Sequence, residues 1–534
     1  MDFVALILFL ALYYLRPQDW SPDFNRLHPI QLLSIVALWG LYRNGKLTFR
    51  RLLRTPLDWL VLFYFLWTLI AGNQFLKALA DIQSVVLFYF VALRSLETVA
   101  RQKTFLGWWC FFMVVIAALA IASLYGFDPL GSNPITQGEQ KGRLILNLSI
   151  FNNPNALAHS VIPSIPLIYF LWVWRRIATK WALAVIAIPA YCILLTQSKG
   201  AFLSGFATLI ATLIFGRSKI WQVFILVMAI GFGYGALYSL PRMNQLQESK
   251  TDPAIQGRVA AFTYGLHLMR SSWYGIGLGN FEDSFFTKGP LEKQEVFRMA
   301  PAADGKTQRR RTSRMVHFEK STHSAYNQNG AELGYVGLFL FVGIIYCCAR
   351  TLLLMKCESN DEERIRRALF TLVVAYAVSS WMVDFCYRPT FFLFIAAISA
   401  FQYHFQQKEM AQRTLSIEPI VTPAPWLRRP PLAGIPGISI PGLSLPGVLG
   451  PGLGAPALAA SSLAQPVSSG RPVSFARGGR ILPWQTPALA AAPAAAAPII
   501  RKPLRDRLGL LDCAIMLALT YGAIQYWQYL IATM

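Results

Sequence analysis

The sequence predicts an all-α polytopic membrane protein. Of its 534 residues, 55% are hydrophobic and only 14% are charged, whereas soluble globular proteins carry about 25% charged residues. Apolar runs long enough for membrane helices recur along the chain. Lys and Arg gather in every second connection between these runs, as expected of alternating cytoplasmic loops. These three observations exclude an ordinary soluble protein.

The apolar runs predict twelve helices and, after a long gap, a thirteenth. They lie near residues 3–15, 30–42, 57–72, 79–93, 104–125, 156–174, 181–196, 200–215, 220–240, 330–349, 368–386, 389–404 and 509–531. Because short basic loops stay in the cytoplasm, the charge alternation predicts a cytoplasmic N-terminus. The same alternation predicts a twelve-helix domain over residues 1–404 with one long external loop at 241–329.

The stretch 405–508 predicts a disordered cytoplasmic linker. It holds 17 of the 32 prolines, and Pro-Gly pairs recur every five residues between 436 and 452. Such alternation of Pro and Gly supports neither helix nor sheet. We therefore expect a spacer that leads to an additional transmembrane helix at 509–531.

The net charge of +23 would suggest a nucleic-acid partner in a soluble protein. Here most basic residues lie in short loops between apolar segments rather than on one continuous face, so their distribution is explained by membrane topology. We predict no nucleic-acid partner, and membrane lipids as neighbours. The chain has no paired-cysteine or His-Glu-x-x-His pattern, so no metal is predicted.

Ionisable groups are few at the predicted outer ends of the helices. They are Lys199 at a tight turn, Arg258 and His323 in the long loop, and Asp384 and Arg388 near a later turn. Charged groups at such positions cost free energy, so their presence suggests a function. Three alternate glycines at 275, 277 and 279 lack the strand-to-helix context of a dinucleotide fingerprint, so we interpret them as a tight turn.

Four stretches together carry a family resemblance. They are Phe-Asn-Asn-Pro-Asn at 151–155, Leu-Thr-Gln-Ser-Lys-Gly at 195–200, Gly-Arg at 257–258 followed by Trp-Tyr-Gly-Ile-Gly-Leu-Gly-Asn-Phe at 273–281, and the segment 323–334, in which a His and a Gly enclose ten residues. In order and spacing, residues 1–404 resemble the superfamily of O-antigen ligases and O-antigen polymerases, which are bacterial multi-pass glycosyltransferases. The ligase branch is the more similar one. Lys199 stands where family members usually have arginine.

The resemblance implies an enzyme of polysaccharide biosynthesis in the cell envelope. Such a ligase moves a glycan from undecaprenyl diphosphate to an acceptor lipid, protein or glycan at the outer, periplasmic face of the bacterial inner membrane. It needs neither a metal nor another cofactor. Cations can stabilise the negative charge that grows on the departing diphosphate, and a histidine can take the acceptor's proton.

The resemblance also assigns roles to individual residues. His323 and Arg258 are the predicted catalytic residues, and Glu332 is a candidate orienting group. The candidates for binding the diphosphate are Lys199, Arg258, Arg388 and Arg143.

Two other functions stay open. In an O-antigen or exopolysaccharide polymerase the acceptor is itself a lipid-linked repeat unit, but a single long external loop that holds both Arg258 and His323 favours the ligase. Twelve helices are also common among membrane transporters. Transporters usually show internal repeats and ionisable groups near the middle of the membrane, and the sequence has no visible repeat of one half in the other.

Overall fold

A computed structural model describes most of the chain. The described residues are 1–47, 53–131, 142–176, 179–239, 253–290, 292–301, 307–316, 321–417 and 506–533. Most of the predicted linker, residues 418–505, lies outside them.

The regular secondary structure of the described residues is helical except for one antiparallel hairpin. The α-helices are α1 Asp2–Leu15, α2 Pro17–Trp20, α3 Pro22–Arg26, α4 Pro29–Arg43, α5 Pro56–Ile70, α6 Phe75–Ser95, α7 Val99–Leu124, α8 Pro154–Val161, α9 Ser164–Ile168, α10 Ala182–Val185, α11 Ala187–Thr196, α12 Lys199–Ile214, α13 Lys219–Ser239, α14 Pro253–Ser271, α15 Phe281–Lys288, α16 Ala325–Leu354, α17 Asn360–Ser379, α18 Pro389–Ile417 and α19 Leu510–Thr533. A 3₁₀ turn at Ala71–Asn73 follows α5, and a π-helical turn at Tyr169–Val173 follows α9. The hairpin pairs β1 Glu292–Pro301 with β2 Thr307–Val316.

Six of the described helical segments are long and apolar enough to cross a membrane. They are Pro56–Asn73, Phe75–Ser95, Val99–Leu124, Pro154–Val173, Ala325–Leu354 and Leu510–Thr533. Four shorter apolar helical segments begin at Asp2, Ala182, Lys199 and Lys219. The prediction of a helical membrane protein is thus confirmed, and the count of twelve spans stays a prediction.

The stretch 241–329, predicted as one long external loop, contains helices and a hairpin. Within residues 241–329 the chain forms α14, α15 and the β1–β2 hairpin, so the all-α prediction needs this small correction. Helix α14 was not predicted because its hydrophobic residues alternate with polar ones and form no continuous apolar run. Its buried side chains include Ala261, Phe262 and Met269, whereas His267 and Arg270 are exposed.

Helix α17 lies about two turns earlier than the predicted segment 368–386. A capping box begins it: the Ser359 side chain accepts from Glu362 N, and Glu362 Oε2 accepts from Ser359 N. Arg366 and Arg367 precede the predicted segment, yet they pair with Glu363 within the helix. The helix ends at Ser379, and a turn over residues 379–383 follows it.

Helix α18 also extends further than predicted. It continues to Ile417, so residues 405–417 are helical rather than part of the linker. This stretch is rich in Gln, Lys, Met and Ala, which favour helix, and the next proline after Pro389 is Pro419.

Candidate functional site

Helix α16 is broken in its third turn, at Gly334. Gly334 has φ 68° and ψ −162°, a combination that only glycine adopts readily. A Cβ at this position would collide with the carbonyl oxygen of Trp273. The break therefore depends on a glycine and on the close approach of the loop that begins at Trp273.

The backbone groups released by the break find partners in other elements. Ala331 O and Glu332 O accept from the amides of Ile276 and Gly277 at 3.3 and 2.8 Å, and Leu333 O accepts from Trp67 Nε1 at 2.8 Å. Unpaired backbone groups are costly in a membrane, so such replacement bonds are required for a broken helix. The glycine-containing stretch 273–281, predicted as a tight turn, is thus fastened to α16.

We expect Gly334→Ala to destabilise the protein. The strained backbone conformation alone should lower the free energy of unfolding by about 1 to 3 kcal/mol, and the clash with Trp273 adds to that loss. Thermal unfolding in detergent should show a clearly lower midpoint. The matched control is Gly205→Ala in α12, where a Cβ would meet no atom within 4 Å. Equal midpoints for the two variants would contradict this account of the break.

Glu332 of α16 contacts this fastened loop. Its side chain is 1% exposed, and Oε1 accepts from Phe281 N at 3.3 Å and from Gln328 Nε2 at 3.5 Å. Burial and the neighbouring Glu332 carboxyl raise the pKa of the Tyr387 phenol well above its usual value, so Tyr387 remains protonated. The described partners of Glu332 thus position the glycine-containing loop, which is a different task from orienting His323.

A cavity of about 200 Å³ lies beside the same loop. Its lining is formed by Tyr64, Phe65, Thr68, Asp81, Ile82, Val85, Leu278, Gly279, Tyr387 and Phe392. The walls are mostly apolar and suit a hydrocarbon group better than a sugar or a phosphate. The charged residues of the predicted site lie elsewhere, near the start of α16.

The start of α16 is fixed by the turn at residues 379–383. Ala325 N donates to Ser380 O at 2.7 Å and to Val383 O at 2.9 Å, and Ser324, the N-cap residue, donates from Oγ to Ser380 O at 3.2 Å. His323 precedes this cap with a positive φ of 49°. Its Nδ1 shares a hydrogen bond of 3.2 Å with Ser321 Oγ. The turn therefore fixes the backbone just after His323.

Arg258 and His323 lie at the same end of two helices that run in parallel. Asn327 Nδ2 of α16 donates to Ala261 O of α14 at 3.3 Å, and further along Gly330 lies beside Met269. Arg258 lies about one helical turn before Ala261 in α14, and His323 lies just before the N-cap residue of α16. The contact between α14 and α16 thus places the two predicted catalytic residues at the same end of this helix pair.

The Asn-Pro-Asn stretch and the turn that carries Lys199 meet at Asn155. Asn155 Oδ1 accepts from Ser198 Oγ at 2.7 Å and from Arg143 Nη2 at 3.0 Å, and Arg143 Nε donates to Thr196 O at 2.9 Å. Ser198 is the N-cap residue of α12 and Lys199 is its first residue. Arg143 therefore supports the backbone that presents Lys199.

His159 was not predicted as a site residue, yet it links several of these elements. It lies one turn after Asn155 on α8, is 4% exposed, and its Nδ1 shares a 2.8 Å hydrogen bond with Ser379 Oγ. Arg258 is close enough for its charge to act on the imidazole. A lone histidine without ligand spacing gives no signal in the sequence, so only the fold reveals this link.

The turn at residues 379–383 is the common neighbour of all these groups. Ser379 bonds to His159, Ser380 and Val383 bond to the start of α16, and Met382 packs against the Lys199 turn. A Cβ at Gly200 would lie 2.8 Å from Met382 Cγ. Two of the four stretches that suggested the family, 195–200 and 323–334, thus contact this turn directly, and the Asn-Pro-Asn and Gly-Arg stretches reach it through His159.

Arg388 lies a few residues beyond this turn. Its guanidinium lies 5.3 Å from the centroid of the Phe385 ring and close enough to Tyr13 of α1 for its charge to act on the phenol. Among the described residues, no group of three or more His, Cys, Asp and Glu side chains is arranged to hold a metal ion. The prediction of metal-free chemistry stays a prediction.

Comparison with known protein families identifies part of the chain. Residues 182–342 match the family model described as O-antigen ligase, which confirms the resemblance predicted from the sequence. The matched stretch includes Lys199, Arg258, His323 and Glu332, and covers less than a third of the 534 residues. No curated protein matches the chain. The match supports a function of the O-antigen ligase or polymerase type in general.

Proposed function

We propose, from the O-antigen ligase domain at residues 182–342, that the protein transfers a glycan from undecaprenyl diphosphate to an acceptor. The acceptor is a hydroxyl or amine of a lipid, a protein or another glycan. The observation that carries this proposal is the turn at 379–383, around which the surroundings of Lys199, Arg258 and His323 are assembled. We assign the two cations and the imidazole to one site because such a set suits a reaction that releases a diphosphate.

The reaction is a substitution at the anomeric carbon of the donor. The acceptor oxygen or nitrogen forms a bond to that carbon while the bond to the diphosphate oxygen breaks and its electron pair leaves with the diphosphate. The proton of the acceptor passes to His323, for which we assign Nε2, since Nδ1 bonds to Ser321. Positioned imidazoles contribute to such steps because they titrate near neutral pH.

Arg258 and Lys199 stabilise the departing diphosphate. Fixed cations are most effective where charge develops in the transition state. Arg143 acts behind Lys199 through Asn155, and Arg388 meets a more distant part of the donor. Glu332 acts on the glycine-containing loop. In this proposal none of these steps uses a metal ion.

The proposal includes a topology. Twelve helices over residues 1–404 form the ligase-like domain, residues 405–508 contain the cytoplasmic linker, and α19 is a thirteenth span. The site faces the periplasm from the inner membrane, where the carrier presents its glycan. Basic loops on the opposite side, such as 43–54 and 94–103, support this orientation.

The test is transfer by the purified full-length protein in nanodiscs. The donor is an undecaprenyl diphosphate oligosaccharide, and the acceptors are a lipid, a peptide and a glycan panel, each assayed with and without EDTA. We expect one acceptor class to become glycosylated with and without EDTA. Products that grow on the carrier itself would instead identify a polymerase, and failure to bind the donor would overturn both.

Lys199→Ala should weaken use of the donor. Loss of a charge-assisted contact of about 1.5 to 3 kcal/mol lowers kcat/KM for the donor by about 10- to 100-fold, whereas Lys199→Arg keeps the charge and should retain most activity. The control is Lys288→Ala, which removes an exposed lysine at the end of α15. An unchanged kcat/KM in Lys199→Ala would exclude this residue from the diphosphate site.

A further inference from the structure

The C-terminal helix α19 lies outside the stretch that matches the ligase family, yet it packs against that stretch. Its first half is anchored on α16: Arg350 Nε pairs with Asp512 Oδ1 at 2.6 Å, and Tyr346 OH donates to the same oxygen at 2.8 Å. Met516 fills the space beside Gly343. The position of α19 along α16 is thereby set by specific polar and packing contacts.

The second half of α19 reaches the two helices that carry the predicted catalytic residues. Trp527 is 1% exposed, and its Nε1 donates to Phe262 O of α14 at 3.1 Å. Its ring lies against Gly330 of α16. Phe262 is about one turn beyond Arg258, and Gly330 is about two turns beyond His323. Trp527 therefore contacts α14 and α16 close to the site.

The residue before Trp527 contacts the turn at 379–383. The Tyr526 ring meets the Trp381 ring edge-on, with 4.9 Å between centroids, and Trp381 stacks on Tyr326 with 4.4 Å between centroids. Tyr326 in turn donates to Ala377 O of α17 at 3.1 Å. Two adjacent residues of α19 thus touch the helix of Arg258, the helix of His323 and the turn between them.

We propose that Trp527 is a positioning residue, through which the C-terminal helix holds the Arg258 helix against the His323 helix in the geometry that transfer requires. This inference rests on the proposed function. Helices in a membrane gain little from burying apolar surface, so individual packing and hydrogen-bonding contacts decide how they are placed. Removing the indole leaves space beside Gly330 and releases the tie to Phe262 O, so α14 loses its fixed position.

The test compares Trp527→Ala and Trp527→Phe with Tyr529→Ala in the full-length protein. Tyr529 is 61% exposed on the same helix, so its loss is a matched control. Because misplacement of a reacting group by about 1 Å can cost about 100-fold, we expect Trp527→Ala to lower kcat between 10- and 100-fold. Trp527→Phe keeps an aromatic ring but loses the Nε1–H that bonds to Phe262 O. Its kcat should lie between that of Trp527→Ala and that of wild type. KM for the donor should change much less than kcat.

Hydrogen exchange of the α14 peptides gives a readout that does not need activity. Exchange over residues 253–271 should rise in Trp527→Ala and stay at the wild-type level in Tyr529→Ala. If wild type transfers glycan while Trp527→Ala keeps wild-type kcat and α14 exchange, the positioning role is wrong and the proposed function stands. If wild type transfers nothing, the proposed function fails. Hydrogen exchange of α14 in Trp527→Ala then decides alone whether Trp527 holds α14 in place. Should Trp527→Ala not fold, the kcat and exchange of Trp527→Phe decide.

Discussion

Replacing His323 with alanine should lower kcat for glycan transfer by about 100-fold or more, the contribution expected of a positioned general base. Donor binding should stay close to wild type, because the proposed diphosphate contacts come from Arg258 and Lys199. The physical reason lies in the start of α16. The turn at 379–383 fixes the backbone just after His323, so the alanine variant should keep this backbone and lose only the imidazole.

The measurement is the initial rate of transfer at saturating donor and acceptor, together with donor binding to the same preparation. The matched control is His267→Ala, which removes an exposed histidine of α14. His267 also lies within the predicted external loop 241–329, about two and a half turns beyond Arg258. A His323→Ala protein that transfers at the wild-type rate would remove the general base from the mechanism.

The helices that span the predicted membrane domain were predictable because their signal is local. Runs of apolar residues identified α1, α5 and α6 to within a few residues. The start of helix α17 was misplaced because its first turns are charged, and these turns are stabilised by the Ser359–Glu362 capping box and by the pairing of Arg366 and Arg367 with Glu363. Such compensation depends on neighbours that hydropathy does not detect.

The internal structure of residues 241–329, the predicted external loop, was predicted least well. Its helices α14 and α15 alternate buried and exposed positions, and they are stabilised by contacts with α16 rather than by apolar runs of their own. The break at Gly334 was not predicted either. In the sequence this glycine only marks the end of the ten-residue spacing from His323. Its positive φ accompanies the close approach of the Trp273 carbonyl.

The candidate site residues were predicted from motifs, and their spatial relations were not. Nothing in the sequence indicates that Ser379, Met382 and Val383 form the turn on which two motif stretches and His159 meet. His159 carried no motif signal beyond its place one turn after Asn155. The tie between α19 and α14 was also unpredictable, because residues 262 and 527 are separated by more than 260 positions and a Pro-rich stretch.

The second large effect is expected for Arg258→Gln. If Arg258 stabilises the departing diphosphate, its loss should lower kcat by about 100- to 1,000-fold, as for other groups that stabilise developing negative charge. Arg258→Lys should recover only part of this loss, since an ammonium group cannot form the paired hydrogen bonds of a guanidinium group. Arg270→Gln, an exposed position on the same helix, is the matched control.

Binding of inorganic diphosphate separates this role from a purely structural one. Wild type and Arg270→Gln should bind it with equal affinity, measured by calorimetry in nanodiscs, whereas Arg258→Gln should bind it more weakly. Thermal unfolding midpoints of the three proteins should agree, since the contacts from α14 to Asn327 and Trp527 do not involve the Arg258 side chain. Equal diphosphate affinity with lost activity would mean that Arg258 acts elsewhere, by holding His159 and the 379–383 turn rather than by meeting the leaving group.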